Sequence, residues 1–549
     1  MPPAAVLAPI VIPLIAAGLI TVFGLAGANI GRFAAGLGAA GSVLSLLVLW
    51  VAVRSTQELN LGALGLGSSV ELRVDAVAFA FGLIVAVPAT LLLGLQPRPW
   101  QDAAVATLGL AAAMSAVEAG GLVVTALAGG AAAMLAAVQL DTEGLDSPRT
   151  GWSLLLATWL LLTLAGVFLE VRGGTDAYAA VPVAGFTGSV FALFAAAALL
   201  ASGLAPWRMW PSQLFLRPSS RAAGMTVVTL FPLGFYLLVR AYELGDGRYP
   251  GTGTQVGLAA LGALVALAAA IRAQAAATQR EFLGEAVMGF GGFALMTIAL
   301  GTPLGLSAGL ITLATAAALA TAIALLPGSS GAPSVVAIAA AVGFPPGLAF
   351  GARVLGIEST FEAGDYLGLI GIAGAASWAV WMVGGTRALG LPAAGEKEKA
   401  KGFPRIAIAI AALTLIAGPA LAAIQAVFSS PAQADVMSNQ AGPGGSLQSV
   451  VTVSTVPPAL TLFVPLLLLA AIAYFVFGAA VVGGSAKAPL FALPGGALMA
   501  RARAAAEGAA MPDEYRSLLN LRALEAAAVA GRPVLWLGAL VALAFAVTR

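Results

Sequence analysis

The sequence predicts an all-α integral membrane protein that crosses the bilayer many times. Of its 549 residues, 60% are hydrophobic and only 9% are charged, whereas soluble domains carry about 25% charged residues. The apolar residues form runs of about 20, which is the length that a helix needs to span a bilayer. The chain length therefore indicates a number of spans rather than a number of soluble domains.

Sixteen spans are predicted from these runs. The first has no basic residue before it and no cleavage-like site after it, so we interpret it as a span rather than as a signal peptide. The predicted limits, in chain order, are 4–26, 33–53, 74–95, 103–117, 120–140, 152–170, 183–205, 222–241, 255–271, 282–300, 306–327, 333–351, 366–388, 404–427, 456–482 and 533–548.

Lys and Arg are unevenly shared between the two sets of alternate loops. The loops on the side opposite the N-terminus hold 19 of them, and the N-terminal side holds 7. Because cytoplasmic loops carry the excess of basic residues, both termini are predicted to be extracytoplasmic. The same bias favours an even number of spans.

Two segments between the later spans are polar. Residues 429–455 have no Lys or Arg and are rich in Ser, Gln, Gly and Pro, which is typical of an outer loop. Residues 487–532 predict a helix, a break at Met511-Pro512-Asp513, and a second helix with one apolar face. Such a lateral helix lies on the cytoplasmic membrane surface or against a neighbouring subunit. The alternative for this segment is a short solvated linker.

The chain contains no Cys and no His. Disulfides, thiolate metal sites, attached haem, bis-His haem and His-bound zinc are therefore excluded, and so is a histidine proton relay. We expect no cofactor, no metal site and no catalytic residue in this chain, and no nucleic-acid partner.

Two glycine-rich motifs lie inside spans. Gly36, Gly38 and Gly41 match the letters of a dinucleotide-binding fingerprint, but no strand precedes them and no acidic residue follows where a ribose would need one. Small residues that allow helices to pack closely explain this motif better, and the same holds for Gly289-Phe-Gly-Gly292.

Charged residues within or next to spans are scarce, and each costs roughly 2.5–3.5 kcal/mol at mid-membrane. Most lie near span ends, where a structural role is favoured because long side chains can reach the interface. For Glu285 and Arg353, functional and structural roles both stay open. We expect Arg353 to be buried beside the double proline and paired with a carboxylate, for which Glu285 and Glu358 are the nearest in sequence, or with free helix-end carbonyls. The six positions are Asp75 at the start of span three, Glu118 between spans four and five, Arg240 at the end of span eight, Arg272 at the end of span nine, Glu285 near the start of span ten, and Arg353 after a double proline.

Two proline-containing breaks interrupt the apolar chain. The first lies at Pro206 to Pro211 and the second at Pro345-Pro346. Broken helices near mid-membrane are a common means of holding ions in transporters. Because the breaks are five spans apart, we predict two five-helix repeats, 103–241 and 255–388. An odd number of helices per repeat makes the second copy inverted.

These breaks resemble motifs of the antiporter-like membrane subunits shared by respiratory complex I (NADH-quinone oxidoreductase), Mrp-type cation/proton antiporters and membrane-bound hydrogenases. The family's second break reads G-x-P-P-x-x-G-F-x-x-K, and here Gly343-Phe-Pro-Pro-Gly-Leu-Ala-Phe-Gly-Ala-Arg353 follows it with Ala349 for glycine and Arg353 for lysine. The first, P-F-H-x-W-L-P, is similar to Pro206-Trp-Arg-Met-Trp-Pro211, which is one residue shorter.

Two further motifs occur in the family's order. Gly234-Phe-Tyr236 with Arg240 resembles the G-x-Y…R that ends the family's eighth helix, and Val74-Asp75 resembles the L-D-G-L-S at the start of its third helix. The resemblance covers about residues 75–387. It implies fourteen core helices, and the distal complex I member adds a fifteenth helix, a lateral helix and a sixteenth.

The usual proton-relay positions of the family are not kept. Glycines stand where the resemblance expects a Trp-Glu pair on the fifth helix, and alanine or proline stands at the later positions. Alanine cannot bind a proton, and arginine, whose ordinary pKa lies far above neutral pH, does not release one. The positions concerned are Gly129, Gly130, Ala201, Pro232, Ala316 and Ala320, while Arg353 remains as a fixed charge.

The predicted organisation has five parts. A three-helix segment (1–102) precedes the two repeats, a fourteenth helix (404–427) follows them, and 428–549 forms a C-terminal extension with helix fifteen, the lateral segment and helix sixteen.

The resemblance implies a membrane-arm subunit of a redox-driven, ion-translocating complex in a bacterial or archaeal energy-transducing membrane. Its partners would be other polytopic subunits, lipid, and protons or sodium ions. We expect a degenerate proton path and a partly structural role. A working proton or sodium channel and a free-standing secondary transporter are the alternatives.

Overall fold

The computed structural model describes residues 3–28, 30–53, 56–65, 68–142, 149–204, 210–215, 221–326, 332–364, 367–392, 403–437, 465 and 467–476. The predicted lateral segment at 487–532 and the predicted span at 533–548 lie outside these residues. Of the fifteenth predicted span, a helix at Leu467–Val476 is described.

Helices make up nearly all of the described chain. The first nine α-helices, in chain order, are α1 (Ala8–Leu25), α2 (Gly31–Val53), α3 (Ala76–Leu95), α4 (Trp100–Val117), α5 (Leu122–Thr142), α6 (Arg149–Gly173), α7 (Gly188–Ala201), α8 (Trp210–Leu214) and α9 (Arg221–Leu244).

Ten further helices follow in the described chain. They are α10 (Thr252–Ala273), α11 (Gln279–Ile298), α12 (Pro303–Leu325), α13 (Ala332–Val342), α14 (Leu348–Glu362), α15 (Leu367–Leu389), α16 (Pro404–Ile416), α17 (Leu421–Ile424), α18 (Ser430–Val436) and α19 (Leu467–Val476).

Nine helices in the described part of the chain are long and apolar enough to cross a membrane, and the bent series from α16 to α18 makes a tenth candidate. The prediction of an all-α, multi-pass membrane protein is thereby confirmed. The total of sixteen spans stays a prediction, as does the division into two inverted repeats.

The span predicted at 333–351 is divided into two helices, and a separate short helix follows the span predicted at 183–205. Helix α13 ends at Val342 and α14 begins at Leu348, and Pro345 and Pro346, joined by a cis peptide bond, lie in the gap. Neither proline has an N–H to continue a helix. Helix α7 ends at Ala201 and α8 begins at Trp210, with Pro211 in its first turn. Pro206 lies outside the described residues.

A β-hairpin lies between α2 and α3. Its strands β1 (Gln57–Gly65) and β2 (Ser68–Val74) are antiparallel. The all-α prediction contains no strand, so the hairpin is an addition to it, and the alternating polar and apolar residues of β2 are its sequence signal. Single bridges from Leu72 to Ala119 and from Gly121 to Ala177 extend the pairing to the α4–α5 loop.

The glycine motifs lie in close contacts between helices. A Cβ at Gly36 on α2 would lie 2.8 Å from the Gly94 Cα on α3, and one at Gly41 would lie 2.6 Å from the Ile12 side chain on α1. On α11, a Cβ at Gly292 would overlap the backbone of Ala266 on α10. These glycines therefore allow close helix approach, which is the packing role of small residues in membrane helices.

The fourteenth predicted span is bent. Its axis turns by 54° between α16 and the helical segment Gly418–Val436. A Cβ at Gly418 would overlap the Pro346 carbonyl oxygen, so the bend packs directly against the gap between α13 and α14. After a π-helical turn at Gln425–Ser429, α18 continues to Val436. The helical path thus extends past the predicted limit at 427 into the segment predicted as an outer loop.

Candidate functional site

Four charged side chains meet where the hairpin contacts α3 and α9. They are Arg73 on β2, Asp75 before α3, and Arg240 and Glu243 on α9. We call these four residues the hairpin-end cluster. All four side chains are largely buried, so their charges must be matched by one another.

Asp75 and Arg240 form the centre of the hairpin-end cluster. Asp75 caps α3, because its Oδ1 accepts a hydrogen bond from the Ala78 N–H at 2.8 Å. The Arg240 guanidinium binds both Asp75 oxygens, with Nη1 2.6 Å from Oδ2 and Nη2 3.0 Å from Oδ1. This two-pronged geometry is the strong form of an arginine–carboxylate pair.

Glu243 and Arg73 complete the hairpin-end cluster. Glu243 Oε2 lies 2.7 Å from Arg240 Nη1, and its Oε1 pairs with Arg73 Nη1. Arg73 Nε also lies 3.3 Å from Asp75 Oδ2. The hairpin is therefore joined to α9 through charges that are shielded from solvent.

Two tyrosines and one more carboxylate surround the hairpin-end cluster. The Arg240 guanidinium lies 5.2 Å from the Tyr178 ring centroid and 5.1 Å from that of Tyr236, and its Nε donates to Tyr236 Oη at 2.9 Å. Asp435 of α18 accepts a hydrogen bond from the Ala76 N–H at 2.8 Å. The arrangement fixes charges in place and links β2, α3, α9 and α18.

Arg272 and Glu285 form a second ion pair between α10 and α11. Arg272 Nη2 lies 2.6 Å from Glu285 Oε1. The Arg272 side chain is 44% exposed, whereas that of Glu285 is 8% exposed. Glu285 is thus bound to a cation at the end of its neighbouring helix.

Arg353 lies against the end of α13. Its guanidinium donates to the carbonyl oxygens of Ala341, at 3.1 Å, and of Val342. It also lies 4.9 Å from the Phe290 ring centroid and 5.8 Å from that of Trp378. Sequence reasoning named carboxylates or helix-end carbonyls as its partners, and the structure places it against the carbonyls. The negative end of the α13 dipole offsets part of its charge.

Gly343 leaves the space that the Arg353 guanidinium occupies. Its φ is +71°, a conformation that favours glycine, and a Cβ there would lie 2.5 Å from Arg353 Nη1. The absence of a Cβ at Gly343 therefore leaves room for the guanidinium in the gap between α13 and α14.

The positions at which the resemblance expects relay groups are closely packed. A Cβ at Gly129 on α5 would overlap the indole ring of Trp159 on α6, and this tryptophan is buried. Ala201, Pro232, Ala316 and Ala320 are also buried. These positions hold no group that binds or releases a proton near neutral pH.

The structure brings together two of the six charges singled out from sequence, Asp75 with Arg240, and pairs two more, Arg272 with Glu285. Glu118 and Arg353 lie apart from these pairs. Sequence reasoning missed Arg73, Glu243 and Asp435. The spacing of Arg240 and Glu243, three residues apart on one helix, was a usable signal, but nothing in the sequence marks Asp435. In the described residues, no group of three or more acidic side chains could hold a metal ion.

No protein-family model and no curated protein matches the sequence. Solved structures do match the fold. A chain of the Mrp complex from Dietzia sp. DQ12-45-1b superposes with a TM-score of 0.70 at 20% identity, over 95% of this chain and 63% of that one. This chain therefore spans less than two thirds of the Mrp chain.

Two further structures match over their whole length. A chain of the membrane-bound sulfane sulfur reductase, an archaeal respiratory membrane complex, gives a TM-score of 0.67 at 19% identity over 98% of this chain and 100% of that one. A chain of respiratory complex I from Thermus thermophilus gives a TM-score of 0.65 at 20% identity, over 81% of this chain and 100% of that one. The fold implied by the resemblance to antiporter-like subunits is thereby confirmed.

Proposed function

We propose that this chain is an antiporter-like subunit in the membrane arm of a redox-linked, ion-translocating complex, in which its own proton path is interrupted and its role is partly structural. The observation that carries the proposal is the combination of this fold with packed, non-titrating residues at the relay positions. The membrane would be a bacterial or archaeal energy-transducing one. With both termini extracytoplasmic, the hairpin-end cluster lies at the outer side.

The interrupted path is supported by the chemistry of the buried groups. A proton relay needs side chains that gain and lose protons in turn, whereas Ala201, Ala316 and Ala320 bind none. Arg353 is fixed between helix-end carbonyls and aromatic rings. Arg272 and Glu285 neutralise each other in one contact. The charges therefore hold helices together more readily than they pass protons along.

The fold likeness to the Mrp chain over 95% of the present one favours a second candidate, a working proton or sodium channel. Such a channel would use bound water, Glu285, Arg353 and residues of a partner. A free-standing secondary transporter is the third candidate. The subunit composition after purification distinguishes it from the other two, because a transporter of this kind would purify alone.

Extraction in a mild detergent should yield this chain together with other polytopic subunits. The reason is that packed helices with many small residues form broad contacts, and isolated spans with exposed apolar faces need lipid or partners. The measurement is the subunit composition of a tagged preparation by mass spectrometry and native mass. A stable monomer that binds and moves a solute would contradict the proposal.

Glu285→Gln should leave the ratio of ions translocated per electron pair unchanged in the intact complex. The substitution removes the charge but keeps the shape, so only a role in ion transfer would change the ratio. The matched control is Glu58→Gln, since the Glu58 side chain is 51% exposed and solvent therefore weakens its contact with Arg73. Loss of about one subunit's share of translocation by Glu285→Gln alone would favour the working channel.

A further inference from the structure

The α4–α5 loop holds one acidic residue whose backbone is fixed on two sides. Glu118 ends α4, where its N–H donates to the Met114 carbonyl oxygen at 2.9 Å. Its own carbonyl oxygen accepts a hydrogen bond from the Arg73 N–H of β2 at 2.6 Å. The backbone of Glu118 is therefore part of the contact between the hairpin and the loop.

The Glu118 side chain has no partner in the part of the chain that the structure describes. Its exposed fraction is 0%, and neither carboxylate oxygen accepts a hydrogen bond. A buried carboxylate without a cation or a donor is among the most costly groups that a protein can hold. The neutral acid avoids that cost because it carries no charge.

The charged groups of the surrounding elements are engaged elsewhere. Arg73 binds Glu243 and Asp75, and Arg240 binds the same two carboxylates. Asp176, in the loop after α6, accepts a hydrogen bond from the Val123 N–H at 2.7 Å. The titratable groups on the elements around the loop include Glu58 on β1, Glu71 and Arg73 on β2, Asp75 before α3, Glu170 and Arg172 near the end of α6, Asp176 and Tyr178 after it, Tyr236, Arg240, Tyr242 and Glu243 on α9, and Asp435 on α18.

Because Arg73 and Arg240 are paired with Asp75 and Glu243, neither is available to neutralise Glu118. Burial raises the pKa of Glu118 well above its ordinary value, which agrees with the lack of a partner. The effect is desolvation of the charged form.

We propose that Glu118 is a proton-binding site, in which a single carboxylic acid stays protonated in the folded protein at neutral pH and releases its proton only when the junction of hairpin and loop opens. The site stands apart from the predicted relay positions and is independent of the proposed function. On the predicted outer side, acidic surroundings retain the proton and keep the junction closed.

The sign of the pH effect follows from linkage. In the opened state, Glu118 releases its proton near the ordinary carboxyl pKa, whereas in the folded state it keeps it to higher pH. Between these two pKa values the folded state binds one proton more, so stability is full below the ordinary value and falls as pH rises. The opening equilibrium should grow about tenfold per pH unit in this window.

The absence of native Cys allows a direct measurement in the intact complex. A reporter Ala116→Cys, at a fully buried position of α4, reacts with a thiol reagent only when this region opens. Labelling rates are compared from pH 5 to pH 9 between the reporter alone and the reporter with Glu118→Gln, and the labelled peptide is quantified by mass spectrometry. The thiol chemistry cancels in the ratio.

We divide the labelling rate of the reporter with native Glu118 by that of the reporter with Glu118→Gln. This ratio should rise by about tenfold per pH unit between the pKa of Glu118 in the opened state and that in the folded state. Glu118→Leu, which has no proton to release, should behave as Glu118→Gln does. It replaces Glu118→Gln as the reference variant if the glutamine variant folds poorly. The control Glu58→Gln should follow the reporter alone. A ratio that is flat from pH 5 to pH 9, or that falls with pH, would overturn the proton site and leave the proposed function unaffected.

Discussion

Arg240→Ala should destabilise the folded chain by about 3–5 kcal/mol, the cost of removing one partner from a buried ion pair. The substitution leaves Asp75 and Glu243 buried with Arg73 as their remaining cation. It also removes the contacts with the Tyr178 and Tyr236 rings. The measurement is the midpoint of thermal unfolding in the purified complex, with the amount of assembled subunit as a second readout.

Two comparisons separate the charge pair from packing. Arg240→Met with Asp75→Asn removes both charges, keeps a polar cap on α3, and should recover part of the loss because no carboxylate at position 75 is left unpaired. Arg172→Ala is the matched control, since Arg172 is exposed at the same end and donates to Thr187 Oγ1 at 3.1 Å. If Arg240→Ala unfolds at the same temperature as Arg172→Ala, the hairpin-end cluster is not a stabilising element.

Arg353→Met should destabilise the chain by about 1–3 kcal/mol, because the Ala341 carbonyl oxygen loses a buried donor. The Val342 carbonyl oxygen keeps the Trp378 Nε1 donor at 2.9 Å, so the loss should be smaller than for Arg240→Ala. Methionine has a similar length and fills the space between Phe290 and Trp378. Arg353→Lys retains the charge and should lose less. Thermal unfolding of the complex distinguishes these values.

Gly343→Ala tests whether the gap is shaped around the Arg353 guanidinium. Its Cβ would lie 2.5 Å from Nη1, so part of its cost should disappear when Arg353 is already methionine. The remaining cost reflects the positive φ. If the losses of stability from Gly343→Ala and Arg353→Met simply add in the double variant, the gap is not shaped around the guanidinium.

The helices could be predicted closely from the sequence because the bilayer permits few alternatives. An apolar run must form a helix to satisfy its own backbone, and α9 at Arg221–Leu244 compares with a predicted span at 222–241. Boundaries failed where helices continue past the apolar run, as α14 does to Glu362. The hairpin was missed because its residues lie outside the runs, where water permits strands as well as loops.

The charged positions could also be predicted, but most of their partners could not. Asp75 and Arg240 are 165 residues apart in sequence, and only the packing of α3 against α9 brings them together. For Arg353, nearby carboxylates in sequence were candidates alongside helix-end carbonyls, and the direction of the side chain decided between them. The contact of Trp159 with Gly129 was equally hidden, since a glycine in a sequence does not show which ring fills its space.

The hydrogen bond between Asp435 and the Ala76 N–H has a consequence for biosynthesis. The two residues are 359 positions apart, so at about 5–20 residues per second translation needs roughly 20–70 s to supply the acceptor after the donor has been made. During that time the start of α3 has a backbone donor without its final partner. A chain that ends before Asp435 therefore lacks the side chain that joins α18 to the start of α3.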